Sequence, residues 1–328
     1  MVMIVIIHYF SHGGILKASG IPKSNYLFAN SLYVFCRVSV NCFFMITGYF
    51  LITDSSRKIS LQRRFQKIFP YWIELICFSL LGTLIAPKFT GGGYTVAAII
   101  KSFLPIYEGQ WWFMSVFVLL LLLKPFIEKM LSNVDRNELK SLLIVLGILD
   151  SILPLLNSPF WKQEGYGIFH AIFLLLIGYA IRIKLIDILD RKKALALYIL
   201  SCVIAGGVSV IEKMVLHEED AMAACYNSPF IILGSIGLFL FIRGLHIRTR
   251  FFSVVSPYVL GIYLINDHPE LTEGWWKFVF DNEKFYASPL MPLHLLGCVA
   301  FFIAIGIGLD WLLKKIVVNP VLRLVVNR

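Results

Sequence analysis

The sequence predicts an all-α, polytopic helical membrane protein with about ten transmembrane helices. Of its 328 residues, 58% are hydrophobic and 15% are charged, and the mean hydropathy is +0.78. Soluble globular domains carry about 25% charged residues, so the composition argues against a soluble protein. The hydrophobic residues also fall into long runs, as expected when each membrane helix needs about 17–25 apolar residues. Residues 1–328 are therefore predicted to form one integral-membrane domain.

Ten apolar runs are the candidate spans, and the first of them is short. It has about ten residues, and a helix of that length rises only ~15 Å through a hydrocarbon core of ~30 Å. We therefore expect that this first span is truncated and that the natural chain starts upstream of Met1. The runs cover residues 1–11, 32–52, 68–86, 110–130, 139–156, 166–183, 194–216, 228–245, 254–268 and 291–313.

Basic residues between the spans predict the topology. Alternate connections, together with the C-terminus, hold 21 of the 30 lysine and arginine residues, and the opposite connections hold 8. Cytoplasmic loops carry such an excess, so we expect a multi-pass protein of the cell membrane with its C-terminus in the cytoplasm. The net charge of +10 resides in these short loops, and nucleic acid is therefore not an expected partner.

The cysteine and histidine pattern does not predict a metal site. None of the six cysteines has the CxxC spacing of zinc ligands, and five of them lie in apolar runs. His8 and His12 are four residues apart, a helical spacing that can bind a metal ion. Gly13 and Gly14 end that helix and no third ligand is close in sequence, so no metal is expected.

Two ionisable side chains lie within the apolar runs near the N-terminus. His8 follows the apolar run 1–7, and Arg37 lies inside the run 32–52. A charged side chain in hydrocarbon costs several kcal/mol, so it normally faces a protein interior or a wet cavity and has a function. The topology places both residues about one turn below the outer surface, and we predict that they form a buried reaction centre. The alternative is that His8 is merely interfacial and that Arg37 extends to the outer head groups.

Other ionisable residues are expected to be structural. Asp150, His170 and His268 stand at span ends and are predicted to be interfacial rather than catalytic. Asp310 precedes Lys314 by four residues, a helical spacing that predicts a local ion pair.

Two features on the predicted inner side have open interpretations. Glu74 lies in the third span and is predicted to have either a structural or a functional role. The basic loop 57–67 contains Arg63 and Arg64. Positive-inside topology explains this loop, and so does docking of a polyphosphate-bearing donor such as coenzyme A.

Several segments resemble the membrane-bound acyltransferase 3 family, which includes polysaccharide O-acetyltransferases. The most specific likeness is in the second span, where residues 37–51 read RVSVNCFFMITGYFL. Shorter likenesses are VIIH at 5–8, KIFPYW at 67–72, QWWF at 110–113 and LGIYLIN at 260–266. The resemblance covers nearly the whole chain.

The resemblance implies an enzyme that moves an acyl group, usually acetyl from cytosolic acetyl-CoA, to hydroxyls of extracytoplasmic glycans. The expected partners are the lipid bilayer, an acyl-CoA donor and a glycan acceptor, with no bound cofactor, in the bacterial plasma or inner membrane. Many family members have histidine where this chain has Asn266, and His268 stands two residues later. The family's first-span arginine would precede Met1.

This interpretation assigns roles to the residues. His8 would act as the general base on an acceptor hydroxyl, because a neutral imidazole suits that task near neutral pH. Arg37 would hold a donor phosphate or carbonyl, or would stabilise developing negative charge. A covalent acyl-histidine is also compatible with the sequence. Further candidates for donor or substrate binding are Arg63, Arg64, Glu74, Trp112, Asn266 and His268.

Two other classes of function remain as alternatives. A transporter or flippase for a glycan or lipid-linked sugar would also need buried charges between its spans. Such proteins often contain inverted repeats and paired broken helices, and the sequence shows neither. A structural or partner-binding membrane domain is the third alternative.

Overall fold

The computed structural model describes residues 1–52, 61–93, 95–156, 164–186, 189–216, 221–245 and 249–325. All regular secondary structure in these ranges is helical, which confirms the predicted all-α class. The chain divides into two compact units. The first unit comprises Met1–Ala29, Ser60–Ser115 and Arg248–Arg328, and the second comprises Asn30–Ile59 and Val116–Ile247.

The described α-helices follow one another along the chain with short turns between many of them. They are α1 (Val2–Ser11), α2 (Lys23–Leu51), α3 (Leu61–Ile85), α4 (Pro87–Thr90), α5 (Val96–Ser102), α6 (Trp112–Leu131), α7 (Arg136–Gly147), α8 (Leu153–Leu155), α9 (Ile168–Arg182), α10 (Arg191–Met214), α11 (Pro229–Arg243), α12 (Arg250–Val255), α13 (Val259–Asn266), α14 (Met291–Leu313) and α15 (Asn319–Val325).

Within the residues that the structure describes, five helices are long and apolar enough to cross a membrane. They are Lys23–Leu51, Arg64–Phe89, Arg191–Met214, Met222–Arg243 and Met291–Leu324. Three shorter apolar helices cover Val2–Lys17, Ile168–Arg182 and Arg250–Asn266. The predicted count of ten transmembrane helices is therefore not confirmed.

The predicted span 139–156 illustrates the difference between an apolar run and a continuous helix. Helix α7 ends at Gly147, a π-helical turn follows at Ile148–Ile152, and α8 is only three residues long. Apolar composition alone does not reveal such a change in helix type, because it depends on local hydrogen bonding.

In the first unit, α13 and α14 cross closely at two glycines. A Cβ atom added to Gly261 would lie 2.5 Å from the carbonyl oxygen of Gly306, and one added to Gly306 would lie 2.5 Å from Cα of Ile262. Small residues let the helix backbones approach in this way. Helix α1 packs against both α13 and α14, and this packing places His8 beside the C-terminal end of α13.

In the second unit, α2 and α9 cross through a reciprocal glycine contact. A Cβ atom on Gly48 of α2 would overlap the carbonyl oxygen of Leu175, and one on Gly178 of α9 would overlap that of Met45. Helices α10 and α11 pack equally closely at Gly237, where an added Cβ would lie 2.6 Å from the backbone nitrogen of Tyr198. The contact between α2 and α9 positions the segment of α2 that follows Arg37.

A polar cap begins α10. Asp190 precedes the helix, and its Oδ1 atom accepts a hydrogen bond of 2.9 Å from the backbone N–H of Lys193. This hydrogen bond lowers the pKa of the Asp190 carboxyl group. The cap satisfies one of the backbone donors that every helix leaves unpaired at its start.

A buried ion cluster joins three segments of the first unit. Nζ of Lys314 lies 2.8 Å from Oδ2 of Asp310, 3.3 Å from Oε2 of Glu74, and 2.6 Å from the carbonyl oxygen of Pro257. The Asp310–Lys314 pair is therefore confirmed. Glu74 contacts the same ammonium group and so has a structural contact in this cluster, whereas its role in donor or substrate binding stays a prediction.

Candidate active site

His8 lies in the last turn of α1 and is buried. Its Nδ1 atom forms a hydrogen bond with Oδ1 of Asn266, the last residue of α13. Because an amide oxygen can only accept, Nδ1 carries the hydrogen, and in the neutral imidazole Nε2 then carries the lone pair. The Nδ2 atom of Asn266 is buried and has no hydrogen-bond partner in the part of the chain that the structure describes. His8 and Asn266 therefore present a basic nitrogen and an unused N–H donor in one small region.

A carboxylate faces the basic nitrogen of His8. Oδ1 of Asp267 lies 3.7 Å from Nε2 of His8 and 3.0 Å from Nε2 of His12. The rings of His8 and His12 meet edge to face, with their centroids 4.8 Å apart. The i, i+4 spacing on α1 places both histidines on one face, and the tertiary fold supplies the aspartate.

The end of α1 sets the position of His12. Gly14 adopts a left-handed backbone conformation with φ of 78°, which ends the helix immediately beyond His12. The hydroxyl group of Tyr286 donates a hydrogen bond of 2.6 Å to the carbonyl oxygen of Gly13. Burial raises the pKa of the Tyr286 phenol, so this group remains a donor at neutral pH. The turn at Gly13 and Gly14 is thereby held against the loop that precedes α14.

His268 has surroundings that differ from those of Asn266. Its Nδ1 atom accepts a hydrogen bond of 3.2 Å from the backbone nitrogen of Glu270, and its ring meets that of Trp111 edge to face at 5.3 Å. The imidazole also packs directly on the backbone of α3, because a Cβ atom on Gly82 would overlap it. Asn266 is therefore the residue that hydrogen-bonds to His8, and His268 packs between Trp111 and α3.

Three of the sequence-predicted binding residues lie elsewhere in the first unit. Trp112 is half-buried at the start of α6. Arg64 is half-buried on α3, and the side chain of Arg63 lies outside the described residues. The binding roles of these three residues stay predictions.

Arg37 is buried in the second unit. Its Nε atom donates a hydrogen bond of 3.0 Å to the carbonyl oxygen of Ala224, and its guanidinium carbon lies 3.4 Å from the centroid of the Tyr226 ring. A second ring, that of Tyr33, lies 5.3 Å away. Among the described residues the guanidinium uses only Nε for hydrogen bonding. Its two terminal nitrogens therefore remain for another partner. His8 and Arg37 belong to different units, and their pairing stays a prediction.

A buried chain of hydrogen bonds supports the segment 224–226, which contacts Arg37 through Ala224 and Tyr226. Asn41 lies one turn after Arg37, and its Nδ2 atom donates a hydrogen bond of 2.9 Å to the carbonyl oxygen of Tyr226. The Oδ1 atom of Asn41 therefore faces Nε2 of His170, at a distance of 3.1 Å. Because that oxygen can only accept, Nε2 of His170 carries a hydrogen. On the other side of the ring, Nδ1 lies 2.6 Å from Oδ2 of Asp150. Asp150 and His170, predicted as interfacial, are thus part of a buried network.

The same network also contacts Asn227, the residue that follows Tyr226. Nδ2 of Asn227 donates a hydrogen bond of 2.8 Å to the carbonyl oxygen of Asp150. Asn41, Tyr226 and Asn227 were not predicted from the sequence. The only available signal was the position of Asn41 inside the second-span motif, one turn from Arg37.

A cleft of about 410 Å³ lies near the C-terminal end of α14 in the first unit. It is lined by the cations Lys314, Lys315 and Arg323 and by the aromatic rings of Tyr258 and Trp311. Nζ of Lys315 lies 5.0 Å from the centroid of the Trp311 ring. Since Lys314 is engaged by Asp310 and Glu74, Lys315 and Arg323 are the cations of this cleft best placed to meet an anion.

Comparison with known proteins identifies the family. A family model described as an acyltransferase domain matches residues 1–311. Searches of curated proteins and of solved structures gave no match. Because the family match spans nearly the whole chain and includes His8, Arg37 and Asn266, the protein belongs to the acyltransferase 3 family and is an acyltransferase.

Proposed function

We propose that this protein is a membrane O-acyltransferase that moves an acetyl group from cytosolic acetyl-CoA to a hydroxyl group of a surface or exported polysaccharide. The observation that carries the proposal is the hydrogen bond from Nδ1 of His8 to Oδ1 of Asn266. It orients a buried imidazole and leaves Nε2 with a lone pair, as a general base requires. Membership of the acyltransferase family supports the same class of chemistry.

In the proposed reaction, Nε2 of His8 removes the proton from the acceptor hydroxyl as its oxygen attacks the thioester carbonyl carbon. The tetrahedral intermediate then collapses, the carbon–sulfur bond breaks, and the proton on His8 passes to the sulfur. The products are the acetyl ester and free coenzyme A, and His8 returns to its starting state. A proton is neither gained nor lost overall.

We propose two donors for the negative charge that develops in such a reaction. Nδ2 of Asn266 is buried and unpaired among the described residues, and it is bonded to the same carbon as the oxygen that holds His8. We assign it to the carbonyl oxygen of the thioester, where a preorganised donor stabilises the transition state. Arg37 offers the terminal nitrogens of its guanidinium group, and we assign these to the negative charge that develops in the transition state.

The charge distribution suggests how the donor reaches the protein. The basic bias of the sequence argues for a cytoplasmic C-terminus, and the cleft at Lys315 and Arg323 lies close to that end of the chain. Phosphate groups bind such cations, and an adenine ring stacks on aromatic side chains such as Tyr258 and Trp311. We propose that this cleft binds the nucleotide end of acetyl-CoA, in a bacterial plasma or inner membrane protein with ten spans.

Membranes that contain the protein, supplied with acetyl-labelled acetyl-CoA and the polysaccharide of the same cells, test the proposal. Label should enter the polysaccharide as an alkali-labile ester, with release of one free thiol per ester. His8→Ala should reduce transfer by at least ~10²-fold, the lower range for a general base. Normal transfer by His8→Ala at equal protein level would contradict the assignment.

A matched control is His294→Gln. His294 lies on α14 in the same unit, and its Nδ1 atom bonds to the hydroxyl group of Tyr9 at 2.9 Å, a role that glutamine can retain. This variant should transfer acetyl at the wild-type rate. If the wild type instead carries polysaccharide across the membrane without forming an ester, the transporter interpretation replaces the enzyme.

A further inference from the structure

The side chains of His8, His12 and Asp267 form a cluster with the composition of a metal site. Each contributes one potential ligand atom, and these atoms lie within 4.8 Å of one another. Sequence reasoning did not favour a metal here because no third ligand is close to the two histidines in the chain. The fold provides that ligand from 255 residues away.

The two distances from the aspartate to the histidines fit a small divalent ion. Around a tetrahedral zinc ion with ligands at ~2.0–2.1 Å, the ligand atoms lie about 3.3 Å from one another. Oδ1 of Asp267 is 3.0 Å from Nε2 of His12 and 3.7 Å from Nε2 of His8, so the two distances bracket that value. Two imidazoles and a carboxylate form a donor set that suits zinc, whereas magnesium and calcium prefer oxygen ligands.

A second observation supports a ligand role for Nε2 of His8. Metal-binding histidines usually donate their other ring N–H to a carboxylate or carbonyl oxygen, which fixes the tautomer and the ring orientation. Nδ1 of His8 makes this contact with Oδ1 of Asn266.

The accessibility of the three groups differs in a way that permits entry. The side chain of His12 is 41% exposed, that of Asp267 is 13% exposed and that of His8 is 10% exposed. An ion would therefore meet His12 first and would complete its coordination on the buried side. Its fourth position would be filled by water.

We propose that a zinc ion, or a similar first-row divalent ion, binds to Nε2 of His8, Nε2 of His12 and a carboxylate oxygen of Asp267 and reversibly inhibits the enzyme. The inhibitory part of the inference rests on the proposed role of His8. A metal ion on Nε2 occupies the lone pair that would otherwise accept the hydroxyl proton, so coordination and base catalysis exclude each other. The binding part depends only on the geometry of the three groups.

Cobalt(II) is the probe for binding, because its visible absorption reports coordination by the protein. The purified full-length chain in detergent, freed of metal with a chelator, should bind one cobalt ion per chain. Zinc should displace cobalt at equal concentration, and magnesium should not. His12→Gln should weaken cobalt binding by at least ~10-fold, the lower range for loss of a metal-site interaction, and the control His294→Gln should leave it unchanged.

Several results would overturn the inference. Absence of saturable cobalt binding at one ion per chain would remove the site, and so would unchanged affinity in His12→Gln. Asp267→Asn is a second variant that retains the size of the side chain and should also weaken binding. The thermal unfolding midpoint of each metal-free variant shows whether it is folded.

The acetyl-transfer assay tests inhibition separately. Zinc should lower the transfer rate of the wild type, a chelator should restore it, and His12→Gln should require at least ~10-fold more zinc for the same loss. Stoichiometric binding without any loss of transfer would overturn the inhibitory role. If His8→Ala showed that His8 is not the base, the cobalt measurement would still decide whether the metal site exists.

Discussion

Nδ1 of His8 and Oδ1 of Asn266 are joined by a hydrogen bond although the two residues are 258 positions apart in the chain. The contact joins the last turn of α1 to the last residue of α13. It decides which ring nitrogen of His8 carries the hydrogen, and it therefore decides which nitrogen can act as a base. Asn266 occupies a position where many relatives are expected to have histidine, and either side chain can accept from Nδ1–H.

The first prediction concerns this hydrogen bond. Asn266→Asp retains an oxygen that accepts from Nδ1 of His8, whereas Asn266→Leu removes it. We expect Asn266→Leu to lower kcat for acetyl transfer by about 10²-fold, because both the base and the donor Nδ2 are affected. Asn266→Asp should retain more activity than Asn266→Leu, since the base remains oriented. Equal activity of the two variants at equal protein level would show that the orientation of His8 does not matter.

Arg37→Lys is a second test, because lysine retains the charge but not the planar group. Arginine uses its planar guanidinium group to donate to the carbonyl oxygen of Ala224 and to stack on the ring of Tyr226, and its terminal N–H groups remain for a substrate. The compact ammonium group of lysine has no planar face and cannot make all of these contacts at once. Loss of a hydrogen bond to a charged group costs ~1.5–3 kcal/mol, which corresponds to a roughly 10–100-fold lower kcat/KM.

Arg243→Lys is the matched control for this substitution. Arg243 also lies in the second unit, and its Nε atom donates to the hydroxyl group of Tyr49 at 3.0 Å, but it is exposed. Its replacement by lysine should leave acetyl transfer within about twofold of the wild type, since Arg243 is not assigned to the proposed site and exposed contacts of this kind contribute little to stability. Wild-type kinetics in Arg37→Lys would instead support the alternative in which Arg37 only extends to the outer head groups.

The third prediction concerns the crossing of α2 and α9. Gly178→Ala places a methyl group against the carbonyl oxygen of Met45, and this crossing positions both Arg37 on α2 and His170 on α9. Overpacking of this kind costs ~1–3 kcal/mol, so the thermal unfolding midpoint in detergent should fall. Gly206→Ala and Gly207→Ala on α10 are controls, because among the described residues no atom other than those of the adjacent helix backbone lies within 4 Å of the added Cβ. In those two variants, the higher helix propensity of alanine should leave the midpoint unchanged or raise it.

The fourth prediction addresses the proposed nucleotide cleft. The double variant Lys315→Gln, Arg323→Gln removes two cations that line it. Each exposed ionic contact contributes ~0.5–1 kcal/mol, so KM for acetyl-CoA should rise about 10-fold while kcat changes little. The difference from the wild type should shrink at high ionic strength, since salt screens such contacts.

Lys277 and Lys284 provide the comparison for this double variant. Both lie in the long loop before α14 and are exposed, and Lys277 also lies near an aromatic ring, that of Phe278. Lys277→Gln, Lys284→Gln removes the same number of charges from the chain, and KM for acetyl-CoA should not change. An equal rise in KM for both double variants would indicate a general effect of net charge and not a binding site.

Local sequence patterns were sufficient to predict some features of this protein. Composition and apolar runs predicted the all-helical class, because helices are the structures that satisfy backbone polar groups within an apolar segment. The Asp310–Lys314 pair was predictable because its partners are one helical turn apart. The motif at 37–51 indicated the family, since it preserves a particular set of side chains along one helix.

Tertiary structure decided the features that depend on residues distant in the chain. Asn266 and Asp267 meet His8 and His12 only because α1 packs on α13. Glu74 shares Lys314 with Asp310, and His170 contacts Asn41, through the packing of separate helices. Where an apolar run is interrupted, as at Ile148–Ile152, local hydrogen bonding and packing select the helix type. A sequence pattern records which residues share a helical face, but not which two faces come together, because that choice is made by the packing of the whole chain.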